Sequence, residues 1–346
     1  MEPIGVAVIG AGGSNIATGR HLPALRRVPH AKVVALHDIK ADGVAHYAAQ
    51  YEAEAYTDLG AMLTRDDVDL VIVASPDSFH AEHTIAAVRA GKHVLCEKPI
   101  ALSLEEALAM RQAVRQAGVK FMACQSLRYE PAARQAGRLI QAGEIGQPVY
   151  GGYAVKGRFH PYPGDSEYRA RKTKGQFLHN GMHYVDLLSW LLQAEPTRAF
   201  GVSRQHYPTD DRLETDNYTL ALLQFSSGAL GRVEHNLMMI DPPGFPRREE
   251  TRVMGTEGNL AFGNSLGGSL EVFAADGFQV LQPATLTPWE DSFALLTRDL
   301  VEAIIEDRAP PISMDYSIRV LEACLGVVES CETGQPVQLG SGGAEG

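Results

Sequence analysis

The chain has 346 residues, more than one hydrophobic core usually organises, so two domains of roughly 100 to 200 residues each are expected. Hydrophobic residues make up 45% and charged residues 21%, the balance of a soluble globular protein. A net charge of −11 argues against a nucleic-acid backbone as the main partner. The segment Met1-Glu2-Pro3-Ile4-Gly5 has no basic region ahead of a long apolar stretch. No later run approaches about 18 apolar residues, so neither a signal peptide nor a membrane span is expected. Cys96, Cys124, Cys324 and Cys331 form no CxxC pair, which points to free thiols in a cytoplasmic protein.

Gly5-Val6-Ala7-Val8-Ile9 is a continuous apolar run of strand length. It is followed at once by Gly10-Ala11-Gly12-Gly13-Ser14-Asn15 and a helical stretch through Leu25. A glycine-rich turn from strand to helix lets main-chain N–H groups of Gly10, Ala11, Gly12, Asn15 and Ile16 approach a pyrophosphate at the positive helix end. The third glycine of a GxGxxG pattern is missing. If Gly13-Ser14 is an insertion, Gly10-Ala11-Gly12 continues into Asn15-Ile16-Ala17, and Ala17 takes the close-packing position. A second strand, Lys32–His37, ends at Asp38, where a carboxylate accepts hydrogen bonds from the adenosine ribose and repels a 2′-phosphate. The cofactor expected is NAD, with NADP left open by the nearby Lys40.

The alternation continues through helices at Gly43–Tyr51 and Leu59–Thr64, a strand at Asp69–Ala74, the turn Ser75–His80 and a helix Ala81–Ala90 ending at Gly91. Strand Lys92–Cys96 leads to Glu97-Lys98-Pro99, helix Leu104–Gln116 follows, and strand Lys120–Cys124 closes the half. Such spacing predicts right-handed βαβ units and a parallel sheet covered on both faces. Pro99 fixes its own φ and keeps Lys98 out of the helical region. The lysine is therefore expected extended at the carboxyl rim of the sheet, where ligands of open α/β sheets bind.

His21-Leu22-Pro23-Ala24-Leu25 within Gly10–Leu25, the segment Asp69–His80, and Gly91-Lys92-His93-Val94-Leu95-Cys96-Glu97-Lys98-Pro99 resemble the Gfo/Idh/MocA family. That family comprises glucose-fructose oxidoreductases, inositol dehydrogenases and rhizopine catabolism proteins, and the resemblance covers nearly the whole chain. It implies an N-terminal Rossmann domain followed by a domain with a large, mostly antiparallel sheet flanked by helices. It also implies that Ser75, Pro76, His80, Glu97 and Lys98 line the nicotinamide end of the cofactor, and that Arg128 lies near the same ring.

Beyond Cys124 the βα alternation stops, dividing the chain into 1–124, which binds NAD(P), and 125–346, which binds substrate and oligomerises. Ser126–Gly143 reads as one helix, and Val149–Gly157 as a half-exposed strand. Asp216–Phe225, Ala229–Met238, Glu250–Met254 and Gly268–Ala274 read as strands of one antiparallel sheet. Amphipathic helices are expected at Phe293–Asp307 and Tyr316–Thr333.

The chemically loaded stretch is His160–Trp190. A helix across it sets His179 and His183 at i and i+4 on one face, with Asp186 a further turn along. Histidine serves as a general base near neutral pH with the least adjustment. The resemblance gives His183 the base role, as the histidine of an Asp-x-Gly-x-His pattern whose first position is here His179. The HxxxH spacing also suits zinc, but Asn180 stands where HExxH has glutamate, so no metal is expected. The run Arg169-Ala170-Arg171-Lys172 reads as a solvated face or a substrate contact, with Arg158 and Tyr162 further substrate candidates.

Together these residues predict an NAD(P)-dependent oxidoreductase acting on a sugar, cyclitol or related polyol, with Lys98, His183 and His179 as the catalytic set. A redox-assisted glycoside hydrolase and a non-catalytic dinucleotide-binding regulator are the competing readings. By the resemblance the protein is a homodimer or homotetramer.

Overall fold

The computed structural model describes residues 2–13, 16–157, 175–204, 217–238, 248–263, 269–274, 277–282 and 289–340. The chain divides into two compact units, Met1–Tyr129 with Thr287–Ile318 and Glu130–Leu286 with Arg319–Gly346.

In the first unit, β1 (Ile4–Ile9), β2 (Ala31–His37), β3 (Glu54–Tyr56), β4 (Leu70–Val73), β5 (His93–Cys96) and β6 (Phe121–Ala123) form one sheet in the order β3-β2-β1-β4-β5-β6. Every pairing is parallel. All four residues of β4 are buried, as a strand covered on both faces requires. Connecting helices are α1 (Leu22–Leu25), α2 (Ala41–Tyr51), α3 (Leu59–Leu63), α4 (His80–Arg89) and α5 (Leu104–Ala117). A π-helical turn, Ala17–His21, runs directly into α1. Ser103 caps α5 by accepting from Glu106 N, and Gly118 ends it in the left-handed conformation at φ 66°. Strand order reverses between β1 and β4, the switch point at which such sheets bind ligands.

The helix expected over Ser126–Gly143 is two pieces. Ser126–Tyr129 is a 3-10 turn, Glu130 is extended at ψ 140°, and α6 (Pro131–Gln141) starts on a proline. Pro131 excludes the helical conformation from the residue before it and suits the first helical position, so the break follows from the sequence.

The second unit is built on a nine-stranded sheet of β7 (Pro148–Lys156), β8 (Pro196–Arg204), β9 (Tyr218–Phe225), β10 (Leu230–Asn236), β11 (Arg248–Gly255), β12 (Gly258–Phe262), β13 (Leu270–Ala274), β14 (Gly277–Leu281) and β15 (Val337–Gln338). Its order is β14-β13-β12-β11-β7-β10-β9-β8-β15. The β7–β10 pair is parallel and every other pairing is antiparallel. Helix α7 (Gln176–Leu192) packs on β7 and β10. It sits close enough that a Cβ at Gly151 of β7 would stand 3.1 Å from Leu188 and Leu192.

Helix α8 (Trp289–Ile305) belongs to the first unit, and α9 (Met314–Thr333) follows it. The Phe293 ring of α8 meets His21 edge-on at 4.9 Å between centroids, and Tyr129 donates to Asp299 at 2.9 Å. No helix among the described residues is long and apolar enough to cross a membrane.

Candidate active site

The turn after β1 is shaped by what glycine leaves out. Gly10 has φ +90°, and a Cβ there would overlap the Ala74 carbonyl at the end of β4. A Cβ on Gly12 would overlap the Asp38 carboxyl group. Gly12 N donates to Asp38 Oδ2 at 2.8 Å, and Lys40 N donates to Oδ1 at 2.9 Å. Asp38 therefore stands at the carboxyl end of β2 with its charge against the glycine turn. Ala17 is fully buried, as close packing at that position requires, and Ile16 precedes it at intermediate exposure. Asn15 lies outside the described residues. A turn without projecting side chains, closed by a fixed carboxylate, fits the pyrophosphate and ribose of a dinucleotide.

On the other side of the switch point, Ser75 and Pro76 follow β4 and lead towards α4. His80, 1% exposed, has Nε2 2.7 Å from the Ser75 carbonyl and Nδ1 2.6 Å from the Pro99 carbonyl. Carbonyls only accept, so a ring nitrogen bonds its carbonyl when it carries the proton. His83 Nδ1 lies 2.9 Å from Ser75 Oγ, and its ring stacks on Phe79. Burial, together with the charges of His37 and His80, lowers the His83 pKa to about 4.

Lys98 follows β5 at the sheet rim, as its place in the sequence predicts, and is 9% exposed. The Lys98–Pro99 peptide is cis. Glu97 is buried, and its carboxylate bonds groups of the protein. Glu97 Oε1 accepts from His21 Nε2 at 2.9 Å, and Oε2 accepts from Lys98 N at 3.2 Å. Burial alone would raise its pKa; the His21 hydrogen bond and charge and the Lys98 charge outweigh this and bring it to about 2.

Ligand atoms of His21, Glu97 and Cys124 lie within 4.8 Å of one another, the spacing of a metal site. Cys124 also hydrogen-bonds Glu97, and burial and the Glu97 charge hold its thiol pKa well above the ordinary value. Neither His21 nor Cys124 stood out in the sequence as a site residue. Arg128 is mostly buried, its guanidinium 4.6 Å from the centre of the Tyr316 ring.

In the second unit, His179 and His183 lie on α7 at the expected i, i+4 spacing. The helix is buried along most of its length, and His179, Asn180, His183 and Trp190 are its partly exposed residues. Asn180 Nδ2 turns back to the Gln176 carbonyl at 3.3 Å. Asp186 is fully buried one turn on, and its charge reaches Cys324. Tyr184 stacks on Tyr153 of β7 at 4.4 Å and lies 5.8 Å from the His235 ring, which fixes the rotation of α7 about its axis. Arg158, Tyr162 and Arg169 lie outside the described residues.

Residues 4–124 match the oxidoreductase family with an NAD-binding Rossmann fold, and residues 133–261 match the GFO/IDH/MocA C-terminal domain. The chain is 30% identical to a scyllo-inositol 2-dehydrogenase (NAD(+)) of Bacillus subtilis (strain 168), over 96% of this chain and 95% of that one. It is 29% identical to a 1,5-anhydro-D-fructose reductase of Ensifer adhaerens, over 96% of this chain and 98% of that one. Among solved structures, an oxidoreductase domain protein from Kribbella flavida superposes with a TM-score of 0.88 at 26% identity, covering 99% of this chain and 100% of its own. Both halves of the sequence and the two sheets agree: the chain belongs to the Gfo/Idh/MocA family of oxidoreductases, with its NAD-binding Rossmann fold at the amino-terminal end.

Proposed function

We propose that the protein interconverts a hydroxyl and a carbonyl on a sugar, cyclitol or related polyol, using NAD. The observation that carries this reading is Lys98 at the carboxyl rim of β5, on the same parallel sheet whose β1 and β2 ends carry the glycine turn and Asp38. The names of the inositol dehydrogenase and anhydrofructose reductase relatives support the substrate class.

When bound, the nicotinamide accepts or returns hydride at C4. The N–H groups of Gly10 and Ala11 bond the His37 carbonyl and that of Gly12 bonds Asp38, so the turn gives the pyrophosphate room rather than donors. The amides of Asn15 and Ile16 hold it, and Asp38 takes the adenosine ribose and disfavours a 2′-phosphate. Lys98 donates to the reacting oxygen and stabilises its developing charge. His183 accepts the hydroxyl proton, and His179 stands in for the aspartate usual at that position in the family. Arg158, Tyr162 and Arg169 contact substrate.

Free cysteines, three of them buried, support a cytoplasmic location. Outward apolar residues on the second sheet, among them Leu222, Leu230, Met254 and Phe278, support a homodimer or homotetramer joined through that face. Light scattering on the purified protein reads the oligomeric state directly.

The deciding experiment is a panel of sugars, cyclitols and polyols with NAD, followed by NADH absorbance, and the matching carbonyls with NADH. Turnover of at least one member is expected. No turnover of any member in either direction would remove the reading.

A further inference from the structure

We propose that His21 and His80 are positioning residues for Lys98, two buried rings that fix the residues on either side of it and tie them to the two loops of the switch point. This rests on the role proposed above for Lys98.

His21 ends the π-helical turn that follows the glycine loop, is fully buried, and donates through Nε2 to Glu97 Oε1 at 2.9 Å. Glu97 Oε2 in turn accepts the Lys98 main-chain N–H at 3.2 Å. The path from the glycine loop to the lysine backbone thus has one helix turn and two hydrogen bonds. His80 opens α4 directly after the other loop, and its ring spans the Ser75 carbonyl on that loop and the Pro99 carbonyl after the lysine.

Both rings are buried, and their hydrogen-bond partners are Glu97 for His21 and the Ser75 and Pro99 carbonyls for His80. The π-helical turn suits this task, because such turns redirect a side chain within a helix and recur at functional sites. A side chain that must meet a reacting oxygen gains rate from being held in one direction. The Lys98 side chain leaves the sheet from a backbone anchored on both flanks.

Because both rings could serve folding alone, the test uses amides that replace one ring nitrogen each. Glutamine places its N–H near the position of Nε2, and asparagine near that of Nδ1. His21→Gln keeps the donor to Glu97, and His21→Leu removes it. His80→Asn keeps the Pro99 bond and loses Ser75; His80→Gln keeps Ser75 and loses Pro99.

On a substrate found by the panel, His21→Leu and His80→Gln are expected to lower kcat about tenfold, the loss of one strong hydrogen bond. His21→Gln and His80→Asn should stay within about threefold of wild type, and KM for NAD within about twofold in all four. Hydrogen–deuterium exchange at the Lys98 amide, resolved by electron-transfer fragmentation, should quicken in the first pair while the β5 amides stay protected.

Equal kcat losses in all four variants, kcat within twofold of wild type throughout, or unchanged exchange at Lys98 would each overturn the inference. A wild-type protein that turns over no panel member would sink the proposed function. Exchange then still decides the anchoring: faster exchange in the first pair supports it, and unchanged exchange overturns it.

Discussion

Gly12 donates its main-chain N–H to the Asp38 carboxylate at 2.8 Å, and a methyl group on Gly12 would overlap that same carboxylate. The two residues are a single device, in which the missing side chain of one makes room for the charge of the other. Gly12→Ala is therefore expected to displace Asp38 and to weaken NADH binding by about tenfold, with the circular dichroism spectrum unchanged. Fluorescence titration with NADH checks this, and affinity equal to wild type would break the link.

Asp38→Ser keeps a hydrogen-bonding group at the end of β2 and removes the charge. The ratio of kcat/KM for NAD over NADP should fall by about tenfold or more, because a carboxylate facing a 2′-phosphate is a like-charge contact. Parallel assays with the two cofactors read the ratio.

Lys98→Met keeps the length of the side chain and removes the donor. The expected cost is roughly a hundredfold to a thousandfold in kcat, the range for one donor to a developing oxyanion, with NADH affinity within about threefold. A kcat equal to wild type would take the lysine out of the chemistry.

His83 titrates at about 4 in the folded protein against 6.5 unfolded, since burial and its histidine neighbours disfavour the charged ring. Between those values the unfolded chain binds the proton and the folded chain does not. Stability from this group is thus complete above 6.5 and is lost as pH falls towards 4. His83→Gln should remove that part of the acid slope. Urea midpoints of both proteins at about pH 7 and about pH 4.5 measure the difference.

Gly5 lies in β1 where a Cβ would overlap the Asp67 carbonyl, and its own N–H donates to Asp69 at 2.7 Å. Gly5→Ala should destabilise the protein by about 1–3 kcal/mol, the usual cost of overpacking, as read by urea denaturation.

Much of the first sheet is legible in the sequence because most of its strands are continuous apolar runs. Glu54-Ala55-Tyr56 is the exception: β3 is a three-residue edge strand with no buried residue, so it leaves no apolar run to find. In the second unit, the strand Gly258–Phe262 is five residues long with glycines at its start and just after it, so it leaves no apolar run of strand length to find.

The site divides the same way. Gly10, Asp38, Lys98 and the His179–His183 pair carry their meaning in spacing along one element. His21 does not, because its partner Glu97 is 76 residues away. The two partners of His80 are main-chain carbonyls, which every residue possesses and no residue type advertises.

The first unit takes in Thr287–Ile318, and this bears on how the protein is made. As the ribosome releases the chain, the six parallel strands are complete by Ala123, yet Phe293 against His21 and Asp299 under Tyr129 emerge only after β7 to β14 of the second sheet. The amino-terminal half thus waits, with one flank uncovered, for the last sixth of the polypeptide. Cutting the gene after residue 124 or 129 would sever that closure, whereas a fusion of 1–129 to 287–318 through a short linker preserves it.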